Sequence, residues 1–284
     1  MRVAFATCST LPQGAADDLS VAALLGADVR VWDDPSVDWT AYDRVIVRST
    51  WDYVDRLDAF RAWCAAVGSG RLRNTPATVA FALDKRYLAE LSVPAVPTTF
   101  AAPGDPPPAL SGEVVVKPAV SAGARDTGRF GPDTHDEAHE LIARIQASGR
   151  VALVQPYLRA VDTQGETGLV YFDGALSHVL RKRAVLAPDE VAPPAPGGHG
   201  EAAIMHEADL VVAGEANAAE RMLGERVIAE VAERFGMPLY ARVDVVADAG
   251  GAPLLLELEV AEPALYLATA PGAAERFAAA IRAS

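Results

Sequence analysis

The chain has 284 residues, 51 % of them hydrophobic, and a formal net charge of −13. That length leaves room for a large core and two or three lobes; the acidity argues against nucleic acid as main partner, since a phosphate backbone wants a basic footprint, and no apolar run approaches the roughly 20 residues of a membrane span. Cys8 and Cys64 are too few for a disulfide framework and read as reduced thiols, and with no long apolar segment after Met1-Arg2-Val3 a cytoplasmic protein is expected.

In chain order, Arg2 to Thr7 reads as a short strand and Asp17 to Leu25 as a helix with Leu19, Ala22, Ala23 and Leu25 at helical spacing. Val29 to Trp32 and Arg44 to Val47 are further strands. Asp55 to Val67 is helical, with Leu57, Phe60 and Cys64 three and four apart. Strands separated by helices predict a parallel α/β layer. Arg71 to Thr75 continues it, and Asn74-Thr75-Pro76 supplies a cap and an early proline for the next helix. Ligands of such sheets bind beyond the carboxyl ends of the strands, and two of those ends carry chemistry: Thr7-Cys8-Ser9-Thr10, and Arg48-Ser49-Thr50-Trp51-Asp52-Tyr53. The second set suits a small zwitterion; an ordinary loop with Asp52 or Ser49 as a helix cap accounts for it equally.

Ala101 to Leu110 is a stiff, proline-rich connection. Beyond it an apolar strand, Gly112 to Pro118, ends in Lys117 and meets the small-residue loop Ser121-Ala122-Gly123-Ala124. A lysine there must reach water or an anion, and N–H groups without bulky side chains beside it suit phosphate oxygens; a plain surface lysine is the competing reading, as is a solvated helix face for Lys85. Asp136 to Gln146 is helical, flanked by His135 and His139 at a zinc-compatible spacing but without a third ligand. Val151 to Leu158 is a buried strand. The strand Ala175 to Leu180 closes on Arg181-Lys182-Arg183, where Arg181 and Arg183 share a face and suit a phosphate or carboxylate. Leu186 to Gly200 is rich in proline and glycine, a long loop of undetermined role. Asn217 to Phe235 is a long amphipathic helix.

The densest chemistry lies near the C-terminus, in Arg242-Val243-Asp244-Val245 and Leu254-Leu255-Leu256-Glu257-Leu258-Glu259, joined by turn residues. Alternation along a strand sets Leu254, Leu256 and Leu258 against Glu257 and Glu259. Folded back, the hairpin gathers Asp244, Glu257 and Glu259 on one face beside Arg242. Three close carboxylates stay ionised together only with a cation among them, and oxygen ligands suit a hard ion of the magnesium kind. A solvent-facing hairpin with an acidic outer face is the alternative.

The order of these parts resembles the ATP-grasp ligases of the glutathione-synthetase type: Asp84-Lys85, Val116-Lys117-Pro118 with its Gly/Ser loop, Val154-Gln155-Pro156-Tyr157-Leu158, Gly165-Glu166, Arg181 to Arg183, then Arg242-x-Asp244 and Glu257-x-Glu259. The resemblance covers nearly the whole chain. It implies an α/β protein with an N-terminal parallel domain (1–91), a small central lobe (92–158) and a C-terminal antiparallel lobe carrying the metal site (159–284). It further implies that Lys85, Lys117 and the loop Ser121, Ala122, Gly123 hold the phosphates of ATP. Gln155, Pro156, Tyr157 and Leu158 would meet adenine, and Glu166 the ribose. Arg181, Lys117 and Arg242 would act on the transferred phosphate and the substrate carboxylate, with Asp244, Glu257 and Glu259 ligating one or two magnesium ions. Where the family commonly has asparagine, this chain has Glu259, one more charge; and Gly197-Gly198 lacks the basic neighbour expected there.

Trp32-Asp33-Asp34-Pro35, Val37-Asp38-Trp39, the Arg48 to Tyr53 loop and Glu257-Leu258-Glu259-x-x-Glu262-Pro263 are similar, more narrowly, to the cyclo-ligases of D-cycloserine biosynthesis. That implies a small amino-acid-like substrate, O-ureido-D-serine, held by Arg48, Ser49, Thr50, Trp51, Asp52 and Tyr53 and cyclised through an acyl phosphate. An amino-acid or dipeptide ligase and a non-catalytic nucleotide-binding scaffold are the alternatives, and a homo-oligomer stays open.

Overall fold

In the computed structural model, which describes residues 1–195 and 201–284, the N-terminal strands and helices form one parallel layer. It comprises β1 (Val3–Thr7), α1 (Ala16–Leu25), β2 (Asp28–Val31), β3 (Arg44–Val47), α2 (Leu57–Val67), β4 (Leu72–Arg73) and α3 (Pro76–Ala82). The strands lie in the order β2-β1-β3-β4, every pair parallel. All of β1 is buried, as a strand covered on both faces requires. Periodicity places the start of α2 too early: Trp51–Asp55 is a separate 3-10 turn. The cap expected for α3 is present, with Thr75 Oγ1 accepting from the Thr78 N–H and Pro76 in the first turn.

The middle sheet is antiparallel. It holds β5 (Thr99–Ala101), β6 (Val114–Pro118), β7 (Gly128–Phe130) and β8 (Ala152–Pro156), with β11 (Glu190–Val191) added from later in the chain, in the order β11-β7-β6-β8-β5. Helix α4 (His135–Ala147) lays Ala138, Leu141, Ile142 and Ile145 onto it against Val114, Val116 and Val154. His135 and His139 face the preceding connection, their Nε2 atoms 2.8 Å from Gly112 O and 3.1 Å from Pro108 O. They anchor that segment to α4.

The third sheet follows α5 (Ala160–Gln164). It contains β9 (Glu166–Phe172), β10 (Ala175–Lys182), β12 (Val211–Ala213), β13 (Tyr240–Ala247) and β14 (Pro253–Glu259), antiparallel in the order β12-β10-β9-β13-β14. Helix α6 (Ala218–Phe235) covers one face and starts with an Asn217–Glu220 capping box. The last helix, α7 (Ala273–Ala283), returns to α1, so Phe5 and Ile46 share one core with Phe172, Tyr240 and Phe277. The first and third sheets are therefore not separately sealed. Among the described residues no helix is long and apolar enough to cross a membrane.

In the β13–β14 hairpin Arg242 pairs with Glu259 and Asp244 with Glu257, which sets the three carboxylates and the arginine on a common face. Strict alternation fails at one point. The register slips between Asp244 and Val245, whose partners are Glu257 and Leu255. Leu255 and Leu258 enter the core, while Leu256 lines the cavity described below instead of pointing away from it. The extra residue of a β-bulge reverses the phase of the strand.

Candidate active site

Between the sheets lies a cavity of about 420 Å3. Lys85 reaches it from the turn after α3, Lys117 from the end of β6, and Glu166 and Lys182 from the paired ends of β9 and β10. Arg242, Glu257 and Glu259 come from the hairpin, Ser121, Ala122 and Gly123 from the loop after β6, and Gln155 to Leu158 from the end of β8. Trp51 and Tyr53 close one side.

The charges of this wall are unevenly paired. Lys85 Nζ lies 3.0 Å from Glu257 Oε1 and donates to Ser121 O at 3.0 Å. Burial works against its ammonium, but the Glu257 charge prevails and lifts it above the usual lysine value. Burial alone would raise Glu257; Lys85 and Lys117 overcome it and bring the carboxyl down to about 2. Lys117 forms no ion pair among the described residues. Burial, opposed by Glu257 and reinforced by repulsion from Lys85 and Lys182, pulls it below the usual lysine value. A buried amine of this kind is costly until an anion reaches it. Phosphate oxygens beside the small-residue loop fit that need.

Glu259 is pushed up to about 8, first by burial and then by Glu257 and Asp244, with Arg242 opposing. Arg242 bonds Asp244 Oδ1 at 2.9 Å and also holds Glu259. Among the described residues no three His, Cys, Asp or Glu side chains stand at metal-ligating spacing, and Asp244 faces a smaller recess beside the cavity, with Gly168 and Lys182. The donor set nevertheless fits magnesium, which keeps several waters and takes one or two carboxylates together with substrate phosphates. Glu257 and Glu259 face the cavity and are the carboxylates that would hold it.

Two expectations need correction. Arg181 does not reach the cavity: it donates to Thr167 Oγ1 and, at 2.9 Å, to Glu215 O. Alternation along β10 puts Lys182 there instead, 3.2 Å from Glu166 Oε2. The strand runs two residues past Leu180, and its phase was the signal that would have pointed to Lys182. The second concerns the loop after β3, from which only Trp51 and Tyr53 line the cavity. Arg48 is buried against Asp18 Oδ1 at 2.8 Å, and Ser49 Oγ stands 2.9 Å from Thr7 Oγ1. Thr50 is buried, and Asp52 accepts from Trp32 Nε1 at 2.8 Å. Arg48, Ser49 and Asp52 meet protein groups and Thr50 is buried with its hydroxyl unpartnered among the described residues, and none of the four lines the cavity, so direct contact with a substrate is left to the two aromatics.

Several of the relocated groups serve the irregular segment after β14. Asn74 Nδ2 donates to Val260 O at 2.7 Å, Trp51 Nε1 to Glu262 O at 3.2 Å and Arg48 Nη2 to Pro263 O at 2.7 Å. Arg242 Nη1 donates to Ala264 O at 2.7 Å, and His178 Nε2 lies 2.8 Å from Leu265 O. The Tyr240 hydroxyl stands 2.8 Å from Ala261 O and 2.7 Å from Val47 O, sharing its one hydrogen between them. Every carbonyl from Val260 to Leu265 thus has a side-chain partner, drawn from distant parts of the chain. Backbone that cannot use a ladder is satisfied and held by side chains. Glu262, with Ala264 and Tyr266, is presented to the cavity from this segment. Burial raises its carboxyl to about 7, with the nearby Tyr53 hydroxyl opposing.

The cavity is roofed where two loops touch. Ala202 N donates to Gly123 O at 2.7 Å, and a Cβ on Gly123 (φ +61°) would stand 2.5 Å from Glu201 Cβ. Only glycine permits this approach. Glu201, Met205 and His206 line the cavity from that side and were not identified from sequence, because the only regular element there among the described residues is one short 3-10 turn, Ala203–His206, with no periodic pattern to announce it. Gly197-Gly198 and His199 lie outside the described residues.

Comparisons with known proteins agree with this geometry. Residues 3–74 match the family model of the D-cycloserine synthetase DcsG N-terminal domain. The chain is 35 % identical to the cycloserine biosynthesis protein DcsG of Streptomyces lavendulae, over 90 % of this chain and 87 % of that one. Its fold superposes on the crystal structure of D-cycloserine synthetase DcsG with a TM-score of 0.84 at 32 % identity, covering 99 % of this chain and 98 % of that one. The ATP-grasp ligase PsnB, solved with a minimal precursor, Mg and ADP, gives a TM-score of 0.58 at 15 % identity, covering 99 % and 97 %.

Proposed function

The chain belongs to the D-cycloserine synthetase family of ATP-grasp ligases, and from that premise we propose that it closes the ring of O-ureido-D-serine at the expense of ATP. The observation that carries this reading is Lys117, a buried amine that forms no ion pair among the described residues, in a cavity it shares with Lys85 and Lys182. Lys117 and Lys85 hold the phosphates under the Ser121–Gly123 loop. Gln155 to Leu158 receive adenine, and Glu166, steadied by Lys182, receives the ribose.

Glu257 and Glu259 hold magnesium, and Asp244 orients Arg242 between them. When bound, the ion neutralises phosphate charge and aligns the transferred group. Arg242 draws the substrate carboxylate to the γ-phosphorus. A carboxylate oxygen attacks, the bond to the β-phosphate oxygen breaks, and ADP leaves. The ureido nitrogen bound to oxygen then attacks the acyl carbon, inorganic phosphate departs with the proton that nitrogen gives up, and the carbamoyl group left on the ring nitrogen is removed by water as carbon dioxide and ammonia. Trp51 and Tyr53 shape the space in which the substrate folds on itself. With no side chain assigned as general base, rate derives from alignment and charge stabilisation.

Phosphate release with magnesium-ATP, measured across O-ureido-D-serine and a panel of amino acids with mass spectrometry of the products, tests the reading. A ring-closed product with equimolar phosphate supports it. A joined product of two amino acids replaces cyclisation by intermolecular ligation, and tight ATP binding without substrate-stimulated release replaces catalysis by a scaffold role.

A further inference from the structure

The acidic groups on the cavity wall differ in how they are compensated. Glu257 is paired with Lys85, Glu259 with Arg242 and Glu166 with Lys182, and Glu201 has His206 at 3.3 Å. Glu262 forms no ion pair among the described residues. The group nearest to it in influence is a neutral hydroxyl, that of Tyr53, and Lys85, which acts on it from a distance, is bonded to Glu257 and Ser121. The carboxylate is also unusually well aimed. The carbonyls on either side of its Cα, those of Ala261 and Glu262, are met by Tyr240 and Trp51, and the next is held by Arg48. A side chain on so fixed a backbone is preorganised, and the wall it occupies also carries Trp51 and Tyr53.

We propose that Glu262, positioned by Tyr53, is the subsite that binds the substrate's ammonium group, making the enzyme selective for substrates that keep a free, protonated amine. This rests on the ligase reading above and adds the residue that recognises the amino end. The geometry leaves a carboxylate facing the cavity without an ion-pair partner among the described residues, on a wall that also carries two aromatic side chains, a residue type that favours a cation. A substrate that brings its own positive charge completes the pairing. Arg242, on the same wall, is already bonded to Asp244, Glu259 and Ala264 O, so the assignment concerns the amino end alone. Tyr53 is a positioning residue: it orients the carboxylate and does not itself carry the charge.

The test compares kcat/KM for O-ureido-D-serine with that for its des-amino analogue, 3-(ureidooxy)propanoate, in wild type, Glu262→Gln and Tyr53→Phe. Phosphate release is the readout, and ATP affinity is measured on all three proteins. Wild type is expected to prefer the amine-bearing compound by about 100-fold, the scale set by leaving a buried charge unpaired. In Glu262→Gln that preference falls to about threefold through a higher KM for O-ureido-D-serine, with ATP affinity unchanged, and Tyr53→Phe lies between. An undiminished preference in Glu262→Gln overturns the ammonium assignment and leaves the ligase standing, as does loss of ATP affinity in that variant. No phosphate release by wild type with O-ureido-D-serine or any amino acid overturns the ligase reading and this assignment with it.

Discussion

The guanidinium of Arg48 donates to the carbonyl of Pro263 at 2.7 Å, across 215 residues of chain. The same group is paired with Asp18 at 2.8 Å and lies over the rings of Tyr240 and Phe277. One side chain thereby ties the parallel N-terminal sheet to the segment that presents Glu262. Its Nη1 is buried without a partner among the described residues, so the pair has no slack for the loss of either member.

Arg48→Met is predicted to destabilise the protein by about 3–5 kcal/mol, because Asp18 is left as an uncompensated buried charge. Urea unfolding measures this. The double variant Arg48→Met/Asp18→Leu should recover much of the stability, while the KM for the amino-acid substrate stays high because Pro263 O remains unheld. A single variant with an unchanged midpoint contradicts the structural role.

Lys117→Met separates function from stability. Removing a buried amine that forms no ion pair among the described residues should leave the unfolding midpoint near or above that of wild type. ATP affinity should fall by about 10- to 100-fold, the worth of a charged hydrogen bond to phosphate. Calorimetric ATP binding beside a thermal melt reads both, and a large stability loss would place Lys117 in the framework instead of the site.

Gly123→Ala probes the roof. The residue has φ +61° and faces Glu201 Cβ, so a methyl group both strains the backbone and parts the loops. ATP affinity is expected to drop by about tenfold with little change in melting temperature, and an unchanged affinity would show that the loop contact is not needed for nucleotide.

The acid side of the stability curve should carry a contribution from His178. Burial lowers its pKa in the folded state, and its Nε2 lies 2.8 Å from Leu265 O. A group depressed on folding stabilises fully above its unfolded value near 6.5 and loses that contribution as pH falls toward the folded value. Unfolding free energy from pH 7 to pH 5 should therefore decline, by at most about 1.4 kcal/mol per pH unit for this one proton. His178→Gln should flatten that part of the curve; an unaltered slope assigns it to other groups.

Much of the architecture was legible from local pattern: the parallel strands, the capped α3, the Asn217 start of α6, and the hairpin that faces Arg242 toward Glu259. Lys117 was legible as a candidate because it ends an apolar strand and had to meet an anion or water, whereas Lys85 alone read as a solvated helix face and was marked only by the family resemblance. What escaped were properties of phase and of distance. One bulge moved Leu256 to the cavity, and two more residues of strand exchanged Arg181 for Lys182. The polar loop Arg48 to Tyr53 carries residues suited to a zwitterion, yet two of its donors, Arg48 and Trp51, are used on carbonyls more than 200 residues away, a relation no local window contains.

The most direct measurement is phosphate release by the purified protein with magnesium-ATP and O-ureido-D-serine, coupled to mass spectrometry, in wild type and Glu257→Gln. The prediction is one phosphate per ring-closed product in wild type and near-complete loss of turnover in Glu257→Gln. Full turnover in Glu257→Gln, or ATP bound by wild type with no substrate-dependent phosphate, would contradict it.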